Sequence, residues 1–599
     1  MHLFFYLLAS LLLVFFLSYL PALTLFPRLI TKPLYFSAVP IVSYFIMGVL
    51  GFILRFIHCF HHGVVVGVMS VFLLGFILRM LFEKSKISSC KALEWKKIDI
   101  GLLLFNFFFI LPLIFLAIYS AFSQDDGLAS WNYWAKLYYF SHTSGQSLYP
   151  TLYPSFLSVA YQLLGSFEAQ GLVKVLLVFF QFSILNAIVF SAKQINRHIL
   201  AYICVAILVL FPGDSRLGMY HFSISGYADP ILAGVMAISV AAFIAYCKEA
   251  NRLSLFIVVI SAIAGAWTKQ PGLLWAGLAL PIALIYKMVS SKKSAHFVDE
   301  VVALCASVAA VFYWAFDIGR NFYNNQGVLG TSKAYYAHGG ASLSYTEVFL
   351  HSVWHYLIYQ PPLLFLLVLA IMSAFNRSKI PAFARMTVLG LLGVGFVLWF
   401  VMASYELREG LYLIAVCGVL IAANNYAAFS SWPLFKRVLL WFLPRVKGLF
   451  ILFIILSVLL SLLFVRLALN RLHNNIFPLE AGKTLFYNYF IDQPEKAYQT
   501  LYQDKAVLVG GVSNYENGLF FGQKNVIGLY STTPERMLAD LQKTRVKYVF
   551  ISPGISHEQF AAILALSLRC PKQVMKLDWG RTRSGYNVFQ IDQISDCKI

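Results

Sequence analysis

The sequence predicts an all-α polytopic membrane protein with a small α/β domain at its C-terminal end. Three observations predict it. Of 599 residues, 60% are hydrophobic and 12% charged, about half the charged share of a soluble domain. Apolar runs of about 20 residues, long enough to cross a bilayer core, recur along most of the chain. Beyond residue 470 the composition turns polar, and short β-branched runs alternate with amphipathic helical stretches. The apolar runs lack the strict polar/apolar alternation of a transmembrane barrel.

Residues 2–26 form a first span, followed by Arg28 and Lys32, and residues 35–57 a second, followed by HCFHHG. The N-terminus has no basic n-region or clear cleavage site and reads as a retained membrane helix. Residues 62–82 lead to KSKISSCKALEWKK, whose five lysines mark the cytoplasmic side. Residues 99–121 then exit and deliver Asp125 and Asp126 to the outer face. Residues 126–148 read as an interfacial helix, with Leu128, Trp131, Ala135 and Tyr138 on one side and Asn132 and Lys136 on another. Residues 149–165 open with two prolines and read as a second interfacial or re-entrant helix lining a cavity. Further spans fall at 168–192, 198–212, 228–247, 253–267, 272–290, 299–316, 347–374, 386–404, 411–428 and 448–467. The total is about 12–14. This order divides the chain into N-terminal helices (1–98), a membrane module (99–470, with first outer loop 122–167) and a small outer domain (471–599).

The net charge is +20, from 46 basic and 26 acidic residues. Much of the excess lies in short loops on the cytoplasmic side of this threading. It forms no continuous basic face, so nucleic acid is excluded as a partner. The same threading places Asp125, Asp126, Asp229, Lys269, Glu406, Arg408 and Glu409 together at the outer face. In the outer domain, KAVLVGG and VKYVFISPG read as strands, and TTPERMLADLQK, with its Thr cap and early Pro, as a helix, followed by HEQFAAILALSL. Six cysteines lie in or beside apolar runs as packing residues. Cys570 and Cys597 can pair if the tail lies outside the cytoplasm.

Chemistry concentrates in SQDDGLASWNYWAKLYYF, residues 123–140. Two adjacent carboxylates do not ionise together easily, and the raised pKa of one suits a general base. A lipid phosphate leaves as a stabilised anion, needing cations rather than an acid. Lys136, Lys269 and Arg408 are candidate phosphate contacts, and His142 can join them. Each has a structural alternative. The acid pair and Asp229, which precedes Pro230, can cap helices. Lys269 can snorkel to the surface, and Glu406, Arg408 and Glu409 can form an ion-pair cluster.

DDGLASWNYWAKLYY, YPTLYPSFLSVAYQLLG, SGYADPILAG, AGAWTKQPGLLW and YELREGLYLIA follow one another over roughly residues 100–430. In this order they resemble the GT-C fold glycosyltransferases, in particular bacterial members of the protein-mannosyltransferase-like family 39. The resemblance implies that Asp126 is the essential acid of the first outer loop, with Asp125 its neighbour. Lys136 matches the basic end of that segment, Asp229 an acid at the mouth of a later span, and Arg408 an arginine reaching the donor phosphate. Asp125, Asp126, Lys136, Asp229, Lys269, Arg408, Glu406 and His142 form the expected site. The implied donor is a polyprenyl-phosphate sugar and the implied outcome inversion at the anomeric carbon. The prolines after the first loop depart from the family's usual signature, as do the three spans before it.

The expected protein is thus a bacterial inner-membrane glycosyltransferase, with active site and C-terminal domain outside the cytoplasm. It moves a hexose from a polyprenyl-phosphate donor to a lipid, glycan or protein hydroxyl, with Asp126 as base. No cofactor is expected for monosaccharide transfer. Oligosaccharyl transferases of this fold need a divalent ion, so a metal stays open. A transporter or flippase of lipid-linked sugars, or an O-antigen-type polymerase, is the alternative. A transporter would show internal repeats and midplane broken helices, and the charges here gather at one face instead.

Overall fold

The computed structural model describes residues 2–82, 95–120, 122, 131–140, 150–195, 226–290, 296–323, 380–403, 410–423, 531–551, 557–577 and 587–597, with residues 347, 370, 459, 462, 463, 466, 509, 510, 526 and 527. Among these, eight helices are long and apolar enough to cross a membrane. They include α1 (Phe4–Leu25), α2 (Pro33–Phe56), α3 (His62–Phe82) and α4 (Lys97–Ile118). The short helices α5 (Tyr133–Tyr139) and α6 (Leu152–Leu164) follow. Then come α7 (Gln170–Ile195), α8 (Asp229–Glu249), α9 (Arg252–Ala266), α10 (Pro271–Ser290), α11 (Phe297–Tyr323), α12 (Ala382–Ala403) and α13 (Leu411–Ala423). The protein is an integral membrane protein. The expected spans at 198–212, 347–374 and 448–467 lie outside the described residues, save isolated positions.

Helices are the natural form for these runs, because hydrocarbon leaves no water to satisfy the backbone. Their starts are marked by local chemistry. The Asn251 side chain accepts a hydrogen bond from the Leu253 amide (2.8 Å), capping α9. The Asp99 carboxylate accepts one from the Lys96 amide (2.7 Å) at the start of α4. Gly165, at φ +67°, closes α6 in the left-handed conformation that favours glycine.

Burial sorts the helices. The span of α7 is buried along its length and α8 nearly so, whereas α3 buries only Val65 and Met69 of its apolar residues. Such apolar exposure is tolerable where lipid covers it. Between α4 and α7 contact is close: a Cβ on Gly171 would collide with the Ile118 carbonyl oxygen. Small residues permit such approach inside membranes. Buried polar side chains tie the interior together. Asn106 Nδ2 donates to Asn186 Oδ1 (2.7 Å), joining α4 to α7. Trp275 Nε1 donates to Ser239 Oγ (2.7 Å), which donates to the Val258 carbonyl (3.1 Å), joining α10, α8 and α9.

The two ends of the bundle differ. One gathers Lys32 with Glu249 (3.1 Å), Lys287 with Glu300 (3.1 Å) and Arg252 with Asp299 (2.7 Å). Trp95 Nε1 donates to the Ile30 carbonyl there (2.7 Å). Arg28 and Lys32 therefore lie at the same end as the chain entering α4, as the charge pattern requires. At the other end lie the C-terminus of α2, α5, α6 and the starts of α8 and α10.

The C-terminal unit has a five-stranded sheet in the order β2-β1-β3-β5-β4. Its strands are β1 (Val509–Gly510), β2 (Val526–Ile527), β3 (Tyr548–Ile551), β4 (Val574–Leu577) and β5 (Asn587–Ile591). Strand β1 runs parallel to β2 and β3, while β5 runs antiparallel to β3 and β4. Thr533 caps α14 (Pro534–Thr544) by accepting from the Arg536 amide, and α15 is His557–Arg569. Met537, Leu541, Val549, Ile563, Leu566 and Phe589 form its core. Cys570 and Cys597 form a disulfide 27 residues apart. Cys570→Ser should cost this unit about 3 kcal/mol, read as a lower urea midpoint of its tryptic protection. An unchanged midpoint would show that the bond contributes nothing. Of the other cysteines, Cys417 is buried but Cys59 and Cys305 are exposed, so packing does not account for those two.

Candidate active site

The site is built from two groups of buried charge joined by α6. The first lies where α8 begins and α9 ends. Gly265 and Gly272 bring the chain back on itself there, since a Cβ on Gly272 would strike the Gly265 backbone. The turn between them carries Thr268 and Lys269. Thr268 Oγ1 donates to the Ala264 carbonyl (2.6 Å) and hydrogen-bonds the Tyr44 hydroxyl (2.8 Å). Lys269 Nζ pairs with Asp229 Oδ1 at 2.6 Å, and both side chains are buried. Asp229 starts α8, so its charge also faces the positive end of that helix. The expected cap is not formed: Ala228 stands at the N-cap and no side chain makes a capping hydrogen bond there. Lys269 does not snorkel; it is 6% exposed.

The second group lies between α5 and the turn from α6 to α7. Lys136 is 1% exposed and Glu168 8%. Burial pushes the Lys136 ammonium down to about 8, and the Glu168 charge opposes that fall. Asn132, one helical turn before Lys136, accepts from the Tyr161 hydroxyl (2.5 Å). Of the expected interfacial helix 126–148, residues 131–140 are described. Trp131, Asn132, Ala135, Lys136 and Tyr138 are all buried, because α6 and the following turn cover the polar side as well.

Helix α6 spans the two groups. Its Leu152 amide donates to the Trp267 carbonyl (3.3 Å), two residues from Lys269. Tyr153 donates to the Gly226 carbonyl (2.9 Å), three residues before Asp229. At the far end Gln162 Nε2 donates to the Tyr139 carbonyl (2.7 Å). About 12 Å of helix rise separates Tyr153 from Tyr161. Two more cations border this end. Arg55 Nη2 donates to Ser155 Oγ (2.8 Å), and its guanidinium carbon stands 3.4 Å from the centre of the Tyr138 ring. Lys174 on α7 is 2% exposed and donates to Ser120 Oγ (2.7 Å).

Of the expected site, Lys136, Asp229 and Lys269 are therefore described, and all three are buried at one end of the bundle. Asp125, Asp126, His142, Glu406, Arg408 and Glu409 lie outside the described residues. Among the described residues no three His, Cys, Asp or Glu side chains cluster as metal ligands. Glu168, Lys174 and Arg55 escaped the sequence reasoning. The signal was present: each is a lone charge within or beside an apolar run, and such charges are costly.

No protein-family profile and no curated protein matches the chain. Among solved structures it is similar to ArnT from Cupriavidus metallidurans bound to undecaprenyl phosphate, at 14% identity, over 83% of this chain and 98% of that one, with a TM-score of 0.46. It is also similar to the archaeal oligosaccharyltransferase AglB from Archaeoglobus fulgidus in complex with an inhibitory peptide and a dolichol-phosphate (10% identity, 84% and 75% of the two chains, TM-score 0.39). A third is an Archaeoglobus fulgidus oligosaccharyltransferase tethered to an acceptor peptide (12% identity, 83% and 74%, TM-score 0.44). Likenesses at these identities concern architecture alone.

Proposed function

We propose that the chain is a GT-C type membrane glycosyltransferase that takes a sugar from a polyprenyl-phosphate donor at the outer face of a bacterial inner membrane. The observation that carries this is the collection of buried charge at one end of the helices. Lys136, Glu168, Lys174, Asp229 and Lys269 come from five separate helices and turns and are all at least nine-tenths buried. Charge at a membrane boundary is expensive and is kept where it has work to do. The segments that carry these residues include those that give the sequence its family resemblance. The buried lysines among them can meet an anion, and the acid loop 123–130 joins Phe122 to α5.

In this mechanism the acceptor hydroxyl oxygen attacks the sugar C1. Its proton passes to the Asp126 carboxylate, with Asp125 raising the basicity of that group. The C1–O bond to phosphate breaks, and the lipid phosphate leaves with the electron pair. Lys136, Lys269 and Arg408 stabilise the developing charge, while Asp229 holds Lys269. Glu406 and His142 complete the substrate contacts. Attack opposite the leaving group inverts the anomeric centre. The acceptor is a lipid, glycan or protein hydroxyl. The Cys570–Cys597 disulfide supports an extracytoplasmic C-terminal domain (471–599), since such bonds persist in oxidising compartments.

The test is made with purified protein in detergent, where no gradient exists. Polyprenyl-phosphate hexose and short-chain alcohol acceptors are supplied, and released polyprenyl phosphate is measured. Release at a rate above the protein-free control is expected. Binding of donor without turnover, together with donor translocation in vesicles, would instead establish a flippase.

A further inference from the structure

Asn132 occupies the N-cap position of α5, yet its side chain makes no capping hydrogen bond. An asparagine in that place ordinarily accepts from an amide of the first helical turn. This one turns its Oδ1 across to α6 and accepts from the Tyr161 hydroxyl (2.5 Å). Both side chains are fully buried. Asn132 Nδ2, buried with them, has no hydrogen-bond partner among the described residues. Buried amide donors are nearly always paired, and an unpaired one lowers stability.

The bond to Tyr161 fixes which way the amide faces. In the reverse orientation the phenol would accept from Nδ2. Its own proton and the Oδ1 atom would then both need partners in a dry interior. With Oδ1 taken, Asn132 has only donors left to offer. Trp131 and Trp134 wall this segment, with ring centroids 5.1 Å apart, and Trp131 packs on Tyr153 at 5.5 Å. An indole N–H donates and does not accept, so neither tryptophan can take the Nδ2 protons in the plane of its ring.

The position on α5 says which acceptor fits. Lys136 lies four residues on, on the same side of the helix, and is buried as well. A donor-only amide beside a buried ammonium suits a group that only accepts and carries negative charge, as phosphate oxygens do. A sugar hydroxyl suits it less, because a hydroxyl has a proton of its own to place.

We propose that Asn132 is a phosphate contact: its Nδ2 donates to a phosphate oxygen of the lipid carrier, on the side of α5 that carries Lys136, and Tyr161 is the positioning residue that holds the amide in that orientation. The proposal rests on the polyprenyl-phosphate donor of the function above. It adds one residue that touches the substrate and one that acts through it.

The experiment titrates the purified full chain in detergent with a short-chain polyprenyl phosphate, by calorimetry, with the matching polyprenol as the ligand without phosphate. Asn132→Asp keeps an oxygen for Tyr161 and puts a carboxylate where the donor stood. Asn132→Leu/Tyr161→Phe removes both partners of the internal bond. Each should weaken polyprenyl phosphate about 10- to 100-fold, the worth of a hydrogen bond to a charged group, and leave polyprenol unchanged. The ligand-free double variant should melt no lower than wild type, since replacing both partners by apolar groups is near neutral and an orphaned donor goes with them. Tyr161→Phe alone should weaken the phosphate ligand by a smaller factor, because Nδ2 remains but loses its orientation. Wild-type affinity in both Asn132 variants would overturn the proposal and leave Asn132 as a tie between α5 and α6. A loss seen only with the sugar-bearing donor would overturn it too, by moving the contact to the sugar. A wild type that binds polyprenyl phosphate without turning over any donor would sink the enzymatic function, and the affinities would still decide the role of Asn132. A wild type that binds no polyprenyl phosphate would overturn both.

Discussion

Asp126→Asn is expected to lower sugar transfer from a polyprenyl-phosphate donor about 10²–10⁴-fold, the usual worth of a positioned general base. The substitution keeps the shape of the side chain and removes its capacity to take a proton. Donor binding should change little, because the proposed phosphate contacts are the cations Lys136, Lys269 and Arg408 rather than this carboxylate. The loss should therefore appear in kcat with KM nearly constant, which marks an interaction made only in the transition state. Asp125→Asn should lose less, since its proposed contribution is to raise the basicity of its neighbour. If Asp125 is the acceptor of the proton instead, the order of the two losses reverses. Thermal unfolding of the variant in detergent separates chemistry from folding. Full activity in folded Asp126→Asn would remove this residue from the mechanism.

Much of the fold was legible because a bilayer simplifies the grammar. Length and apolarity alone located α2, α3, α4, α8 and α10, and the basic loops grouped Lys32 and Lys96–Lys97 at one end. Thr533 and Pro534 announced α14. What composition could not show was pairing. Lys269 and Asp229 are 40 residues apart, and each alone was compatible with a cap, a snorkelling chain or a ligand. Only the reversal at Gly265 and Gly272 brings them to 2.6 Å. Lys136 looked interfacial because its helix is amphipathic, and the cover that buries it comes from residues 150–168, whose placement no periodicity encodes. Glu168 and Lys174 were overlooked for a related reason. A single charge at the edge of an apolar run reads as a boundary marker, and its burial depends on which neighbour closes over it.

The pair at the base of the site yields the largest effect on stability. Lys269→Met is expected to destabilise the folded membrane module by about 3–5 kcal/mol, the cost of breaking a buried ion pair by removing one member. Asp229 is 3% exposed, so water offers little compensation once the ammonium is gone. Asp229→Leu should cost a similar amount by removing the carboxylate of the same buried pair. Removing both charges changes the balance. In Asp229→Leu/Lys269→Met neither ion remains to be desolvated, and most of the stability should return. A double-mutant cycle in denaturant, read by tryptophan fluorescence in detergent, measures the coupling. Activity should not return with stability, because the double variant has lost a cation assigned to the donor phosphate. That divergence separates a binding pair from a strut: a strut replaced by well-packed apolar groups would regain both. Single variants as stable as wild type would mean that the 2.6 Å contact carries no energy.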